Sequence, residues 1–304
     1  MARVIANAQP DVLVLQGVDY DHHRLALKAL RDTIDTHGWR MSHAFSLAPN
    51  TGLATGLDMD GNGRTGHARD AQGYGAFFGQ GGMAVLSRYP VHLQGVSDFS
   101  PLLWRDMPDA LLPMTAKGAF PSQDALEVQR LSSVAHWVVP ILVEGRTLNL
   151  MTFHASPPVF DGPEDRNGRR NHDEIVFWLK YLDGTFGDDP AASFIIAGNA
   201  NLDPVDGDGR KSAITDLLTD PRLQDPAPKR AGAPQQGEGH SGDPSLDTVA
   251  WPSPDPGHLR VSYILPSADL RVTASGILWP EDGPMAEVVG AASRHRLIWV
   301  DLIF

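Results

Sequence analysis

Short apolar runs recur along this chain, each closed by turn-forming residues, and they restrict it to a sheet-based fold. After Pro10 the chain reads Asp11-Val12-Leu13-Val14-Leu15-Gln16, a continuous apolar stretch of the kind that forms a buried strand. Met83–Ser87 has the same character. Val134–Val143 and Leu148–His154 predict two paired strands around the turn Glu144-Gly145-Arg146. Ser193–Ala197, Val261–Leu265, Leu270–Leu278 and Arg296–Phe304 supply further strands. Helical patterns are few: a short one at Ala2–Ala8, then His22–His37 with Leu25, Leu27, Leu30 and Ile34, Asn171–Leu182 with Ile175, Phe177, Trp178 and Leu182, and Ser212–Leu218. Strands interspersed with scattered helices predict an α/β fold of two packed sheets with helices outside. No internal repeat of fixed period is visible.

A chain of 304 residues with 42% hydrophobic content can bury a substantial core, as one large domain or two small ones. Its 30 Gly and 24 Pro suit a loop-rich protein. Thr51–Gly82 is a Gly-rich loop without apolar periodicity, and long loops in compact domains are often functional. Pro226–Pro256 reads as an exposed loop. With no Cys, disulfides, thiolate metal sites and cysteine nucleophiles are excluded. A formal net charge of -12 disfavours non-specific duplex DNA, so any nucleic-acid binding would need a local basic patch. No apolar run reaches the ~18 residues of a membrane span. Met1–Pro10 lacks the apolar segment of a signal peptide, which leaves a cytoplasmic protein or one exported by an upstream signal.

Several segments, in order, resemble one known superfamily. Gln9-Pro10-Asp11-Val12-Leu13-Val14-Leu15-Gln16 looks like its "pDvl.lQE" strand, and Gly82–Pro90 its "G.ailSryPi" strand. Phe153-His154 matches a strand that ends in a functional His. Ile196–Pro204 resembles "GDfN..P", Arg260–Leu265 resembles "riDyil", and Ser293–Arg296 resembles the terminal "SDH". Together they resemble the endonuclease/exonuclease/phosphatase (deoxyribonuclease I-like) superfamily across nearly the whole chain. The resemblance implies a four-layer α/β sandwich spanning 1–304 as a single domain. The first strand, with its active-site Asn, has no counterpart here, so the chain is expected to lack it.

The resemblance also implies phosphate-ester hydrolysis with a divalent cation, Mg or Mn, because a phosphodiester is anionic and its leaving group poor. His154, Asn201 and His295 match functional positions of the family. Four acids do not: Gly17 stands for the metal-binding Glu, Asn199 for the Asp of "GDfN", Ser262 for the Asp that orients the terminal His, and Arg294 for the Asp beside it. If all four were ionised, the cleft differs from the family's by about five charge units. Hard cations prefer carboxylate and water oxygens, so the metal site is expected to be remodelled. Asp19 lies two residues after Gly17, on the same face of a continuing strand, and is one candidate replacement ligand; Arg294, gripping phosphate in place of a metal, is the other. Asp19 and Asp21 also suit the start of a helix at His22.

Two further clusters carry chemistry. Asp58-Met59-Asp60-Gly61-Asn62-Gly63 places oxygens like the first half of a calcium loop, but Arg69 occupies the closing ligand position and Asp70 falls one residue late. Asp58, Asp60 and Asn62 are thus candidate Ca ligands, against a plain Asx-turn. Asp161–His172 mixes acids with Arg166, Arg169 and Arg170 at the opening of a helix; Arg166 and Arg170 are candidate phosphate ligands, against a solvated salt-bridged loop. Two functions follow as expectations: a phosphoesterase with His154, Asn199, Asn201 and His295 at its remodelled site, or a catalytically impaired relative that binds a phosphorylated ligand or calcium.

Overall fold

The computed structural model describes residues 1–187 and 193–304. A small antiparallel sheet is built from Val12–Val18, Gly82–Ser87 and His43–Phe45, with Gly82–Ser87 in the centre. A larger sheet runs in the order Ser262–Pro266, Phe194–Asn199, Arg146–His154, His136–Val143 and Ser97–Asp98. All its pairings are antiparallel except that of Arg146–His154 with Phe194–Asn199, which is parallel and requires a crossover. That crossover is the helix Arg166–Leu182.

Alternation along the strands assigns the layers. Met83 and Val85 face Trp137, Val139, Ile141 and Leu150 in a core between the two sheets. Ala84 and Leu86 turn the other way, toward Ile5, Leu27 and Ile34 of the helices Ala2–Ala8 and Leu25–Thr36. On the far face of the larger sheet, Met151, Phe153 and Ile196 pack against Ile175, Phe177 and Trp178 of the crossover helix and against Ile214 and Leu217 of the helix Ser212–Thr219. The result is the four-layer α/β sandwich. A hairpin of Arg271–Leu278 and Leu297–Ile303 follows, its strands joined through the helix Pro284–Ala292. Only Val289 of that helix is buried, so no apolar periodicity marks it in the sequence.

Helix Arg166–Leu182 begins earlier than the apolar periodicity from Asn171 predicts, because its first turns bury a polar face rather than an apolar one. Arg170 is 4% exposed and donates to four carbonyls, those of Leu131, Gln72, Arg130 and Ser132. Asn171 donates to the carbonyls of Ser156 and Ala200. Asp173 accepts from Trp104 Nε1 and the Leu111 N–H. Glu174 accepts from the N–H groups of Ser133 and Ser156 at 2.6 and 2.7 Å, and from the Ser156 hydroxyl at 2.7 Å. One helix therefore ties down the segments that follow two strands of the larger sheet and the one that precedes a third. Burial pushes the Glu174 carboxyl up, opposed by the Arg170 charge and the serine donors.

The Gly-rich loop 51–82 is held by the same device. Gly73 lies so close to the Ser133 carbonyl that a Cβ would sit 1.7 Å from its oxygen, which only glycine tolerates. Asn50, fully buried, donates to the carbonyls of Ser100 and Ser132. Met59 plugs the loop from within at 0% exposure.

Two outcomes test this core. Glu174→Ala leaves the Ser133 and Ser156 donors and the Arg170 charge uncompensated, so urea unfolding should show a loss of about 3 to 5 kcal/mol. His136 is fully buried among Phe153, Phe177 and Trp178, and burial holds it down at about 4. Its unfolded form takes up a proton at a higher pH than the folded form, so its stabilising contribution is complete above the ordinary histidine value and is lost as pH falls toward 4. The full loss is about 3 kcal/mol. Urea midpoints at pH 7 and pH 4.5 should differ less in His136→Gln than in the parent.

Candidate active site

The parallel pairing of Arg146–His154 with Phe194–Asn199 sets His154 directly opposite Asn199 where both strands end. On the other side, Ser262 pairs with Asn199. Three positions singled out in the sequence thus form one row across the sheet edge. Beyond Asn199 the chain turns through Asn201 at φ 49, a left-handed conformation that Asn adopts more readily than most residues.

The hydrogen bonds fix the chemistry of this row. The Asn201 N–H donates to Asn199 Oδ1 at 2.9 Å, which settles the orientation of the Asn199 amide. Asn199 Nδ2 then donates to His154 Nε2 and to Asn201 Oδ1, each at 3.2 Å. Asn201 Nδ2 donates to the Ala155 carbonyl at 2.8 Å. Since His154 Nε2 accepts, its proton resides on Nδ1, and Nδ1 is buried with no partner among the described residues. Burial, and then the nearby charge of His295, hold the imidazole down at about 4, so it is neutral at pH 7.

His295 reaches the same edge by a route the sequence did not reveal. Within the stretch expected to be an exposed loop, Thr248 and Val249 are buried. Val249 bridges His295; the Ala250 N–H donates to the Arg294 carbonyl and the Arg296 N–H to the Thr248 carbonyl. Thr248 Oγ1 in turn accepts the N–H groups of Val261 and Ser262. Trp251 meets the His295 ring edge-on at 5.7 Å. Burial first, and Arg296 second, lower His295 to about 4. Its ring has no side-chain hydrogen bond among the described residues, in keeping with serine rather than aspartate at 262. Trp251 and Thr248 are the positioning groups that sequence reasoning missed; their only signal was an apolar pair, Val249-Ala250, inside a Pro- and Gly-rich stretch.

The proposed replacement carboxylate does not materialise here. Gly17, at φ +69, forms a β-bulge between Gln16 and Val18, which breaks the side-chain alternation from which Asp19 was placed. The strand ends at Val18; Asp19 is exposed and accepts the Gly81 N–H at 2.8 Å. Asp21 instead starts the helix, accepting from Leu25 and Ala26. Arg294 is exposed, and its side chain has no partner among the described residues. At the edge, then, the groups are neutral amides, Gln16 among them with its Oε1 unmatched, a serine and an imidazole whose Nε2 lone pair is already engaged, with no carboxylate there among the described residues. These residues do not fit the family's Mg or Mn.

A cavity of about 760 Å³ opens beside His154. Asp60, Arg69 and Tyr74 of the Gly-rich loop line it, as do Ser156, Phe160 and Arg166. Arg166 Nη1 is buried without an acceptor among the described residues. Burial works against the Arg166 charge, while Asp60, Asp161 and Glu164 favour it without forming an ion pair. Arg170, the other candidate phosphate ligand, also reaches the cavity wall, where its four carbonyl contacts make it a strut.

Further along the loop, Asp58 Oδ1 accepts from Asp60, Gly61 and Asn62, and its Oδ2 from Gly63. Asn62 Oδ1 accepts the Arg64 N–H at 2.8 Å. A 3₁₀ turn at Ala68–Asp70 swings Asp70 back, although it is one residue late for the calcium-loop pattern. Asp58, Asp60 and Asp70 then offer oxygens within 4.8 Å of one another, a set able to hold a cation. Asp60 lines the cavity as well, so this cluster adjoins the His154 edge.

Known folds agree with this architecture. An endonuclease/exonuclease/phosphatase from Beutenbergia cavernae superposes with a TM-score of 0.57 at 16% identity, over 99% of this chain and 64% of that one. The chain thus spans under two thirds of the Beutenbergia protein. A family protein from Leptotrichia buccalis gives 0.55 at 17% identity, covering 100% and 91%. One from Bacteroides thetaiotaomicron gives 0.52 at 12%, covering 100% and 87%. No curated protein sequence matches. The profile of the Endonuclease/Exonuclease/phosphatase family matches residues 1–295, and the chain belongs to that family.

Proposed function

We propose that this protein hydrolyses a phosphate mono- or diester at the edge formed by His154, Asn199, Asn201 and His295. The observation that carries this reading is the hydrogen-bonded row from His154 through Asn199 to Asn201, with His295 near enough to depress the proton affinity of His154. His154 presents an N–H suited to a phosphoryl oxygen, and the Asn pair fixes its tautomer. His295, neutral at pH 7, is free to take a proton from an attacking water. A phosphoryl group between the two rings would raise both toward neutrality, because an anion favours the imidazolium form. The mixed wall of Arg166, Arg69, Tyr74 and Phe160 suits a small organic phosphate better than a duplex, and the acidic net charge of -12 acts in the same direction. The Asp58–Asp60–Asp70 set adds a cation site, for which calcium is the ion its oxygens suit.

Turnover of chromogenic aryl phosphates and phosphodiesters, with EDTA, Mg²⁺, Mn²⁺ and Ca²⁺ in separate arms, tests the hydrolase. His154→Ala and His295→Ala should each lower kcat/KM by about 100-fold or more. Equal rates in parent and both variants would remove the hydrolase. For the loop, calcium should raise Tm in the parent and not in Asp58→Ala or Asp60→Ala. An unchanged Tm in the parent would withdraw the cation site.

A further inference from the structure

The chemistry of the buried donors departs from what a cation would select. A metal site needs lone pairs turned inward. At this edge His154 Nε2 already receives the Asn199 amide, and Asn199 Oδ1 already receives the Asn201 N–H. Among the residues that line the cavity, the buried side-chain atoms without a partner among the described residues are the Thr51 hydroxyl, His154 Nδ1 and Arg166 Nη1; Gln16 Oε1 and Asn171 Oδ1 are also unmatched, on residues outside that lining. His154 and Arg166 line the same cavity. An orphaned buried donor costs about 1–3 kcal/mol, more when charged, so a pair on one cavity indicates a missing acceptor. Asp60, Asp161 and Glu164 are near enough to favour the Arg166 charge, yet none forms an ion pair with it among the described residues.

We infer that His154 Nδ1–H and Arg166 Nη1–H form a metal-independent anion site that takes a phosphoryl group, replacing with fixed donors the charge that the family's cation supplies. A guanidinium matches phosphate geometry and cannot be lost to chelation. The inference rests on the phosphoesterase reading for the identity of the anion, and it assigns the substrate's phosphoryl end to Arg166 rather than to a metal. Asp60 lies on the same cavity and opposes the anion, which gives the site an internal test.

Titration calorimetry with inorganic phosphate, in EDTA, on the whole chain measures the site directly. The parent should bind without added metal. Arg166→Gln and His154→Gln should each weaken phosphate by about ten-fold or more. Asp60→Asn should tighten it by about two- to five-fold, because a like charge is removed, and a purely structural Arg166 would give no such gain. Phosphate binding that appears only on adding Mg²⁺ or Mn²⁺, no binding by the parent at all, or equal affinity in parent and Arg166→Gln would each overturn the inference. The chromogenic assay separates the two ideas. Phosphate binding in EDTA without turnover keeps the anion site and ends the hydrolase; turnover and phosphate binding that both require metal do the reverse.

Discussion

Everything near the candidate site hangs on a buried polar face. Arg170, Asn171, Asp173 and Glu174 occupy consecutive turns of one helix and satisfy backbone groups of loops that otherwise have no reason to converge. A loop carries its unmatched N–H and C=O groups wherever it goes, so it is buried only where partners await them. Here the partners are side chains of a single rigid element that also covers the larger sheet through Ile175, Phe177 and Trp178. The apolar face of the helix fixes its place, and the polar face then fixes the loops. Asn171 illustrates the link to function: its two donated bonds hold Ser156 and Ala200, residues that flank His154 and Asn199 in sequence.

This also explains what could and could not be read from residues alone. The sheets were legible because burial on both faces leaves unmistakable apolar runs, as in Met83–Ser87 and Ser193–Ala197. The site strands were legible because Phe153-His154 and Gly198-Asn199-Ala200-Asn201 keep the order of the family's motifs. The helix Pro284–Ala292 was missed, having only Val289 buried and so no periodic stripe to report. The role of Arg170, read as a candidate phosphate ligand against a solvated loop, was not legible, because whether such a charge faces a ligand, water or carbonyls depends on contacts far along the chain. Asp19 failed for a local reason. One residue of bulge at Gly17 is enough to exchange the two faces of a strand.

The family resemblance and the local chemistry pull in different directions, and both are informative. The fold keeps the strand ends that carry His154, Asn199 and Ser262 side by side. Amides and a serine stand at that edge where acids were expected, and His154 Nδ1 and Arg166 Nη1 have no partner among the described residues. Electrostatic stabilisation of an anion does not prescribe its source; preorganised donors in a dry site and a bound cation act on the same charge. The loop cluster of Asp58, Asp60 and Asp70 reaches through Asp60 the cavity that His154 also lines, so a cation held there would act on that edge through the cavity's field rather than by direct ligation.

The bridge between Val249 and His295 brings a distant part of the chain to strands that are complete long before it. Synthesis proceeds from the N-terminus at about 5–20 residues per second, and domains fold as units. The nascent chain therefore carries His154, Asn199 and Asn201 for some seconds before His295 emerges and Thr248 can receive the Arg296 N–H. Until then the chain holds an imidazole and two amides but no second ring. Chemistry that depends on both rings is thus withheld from partly made chains, and a chain cut short before the final hairpin would keep most of its core while losing half of its site.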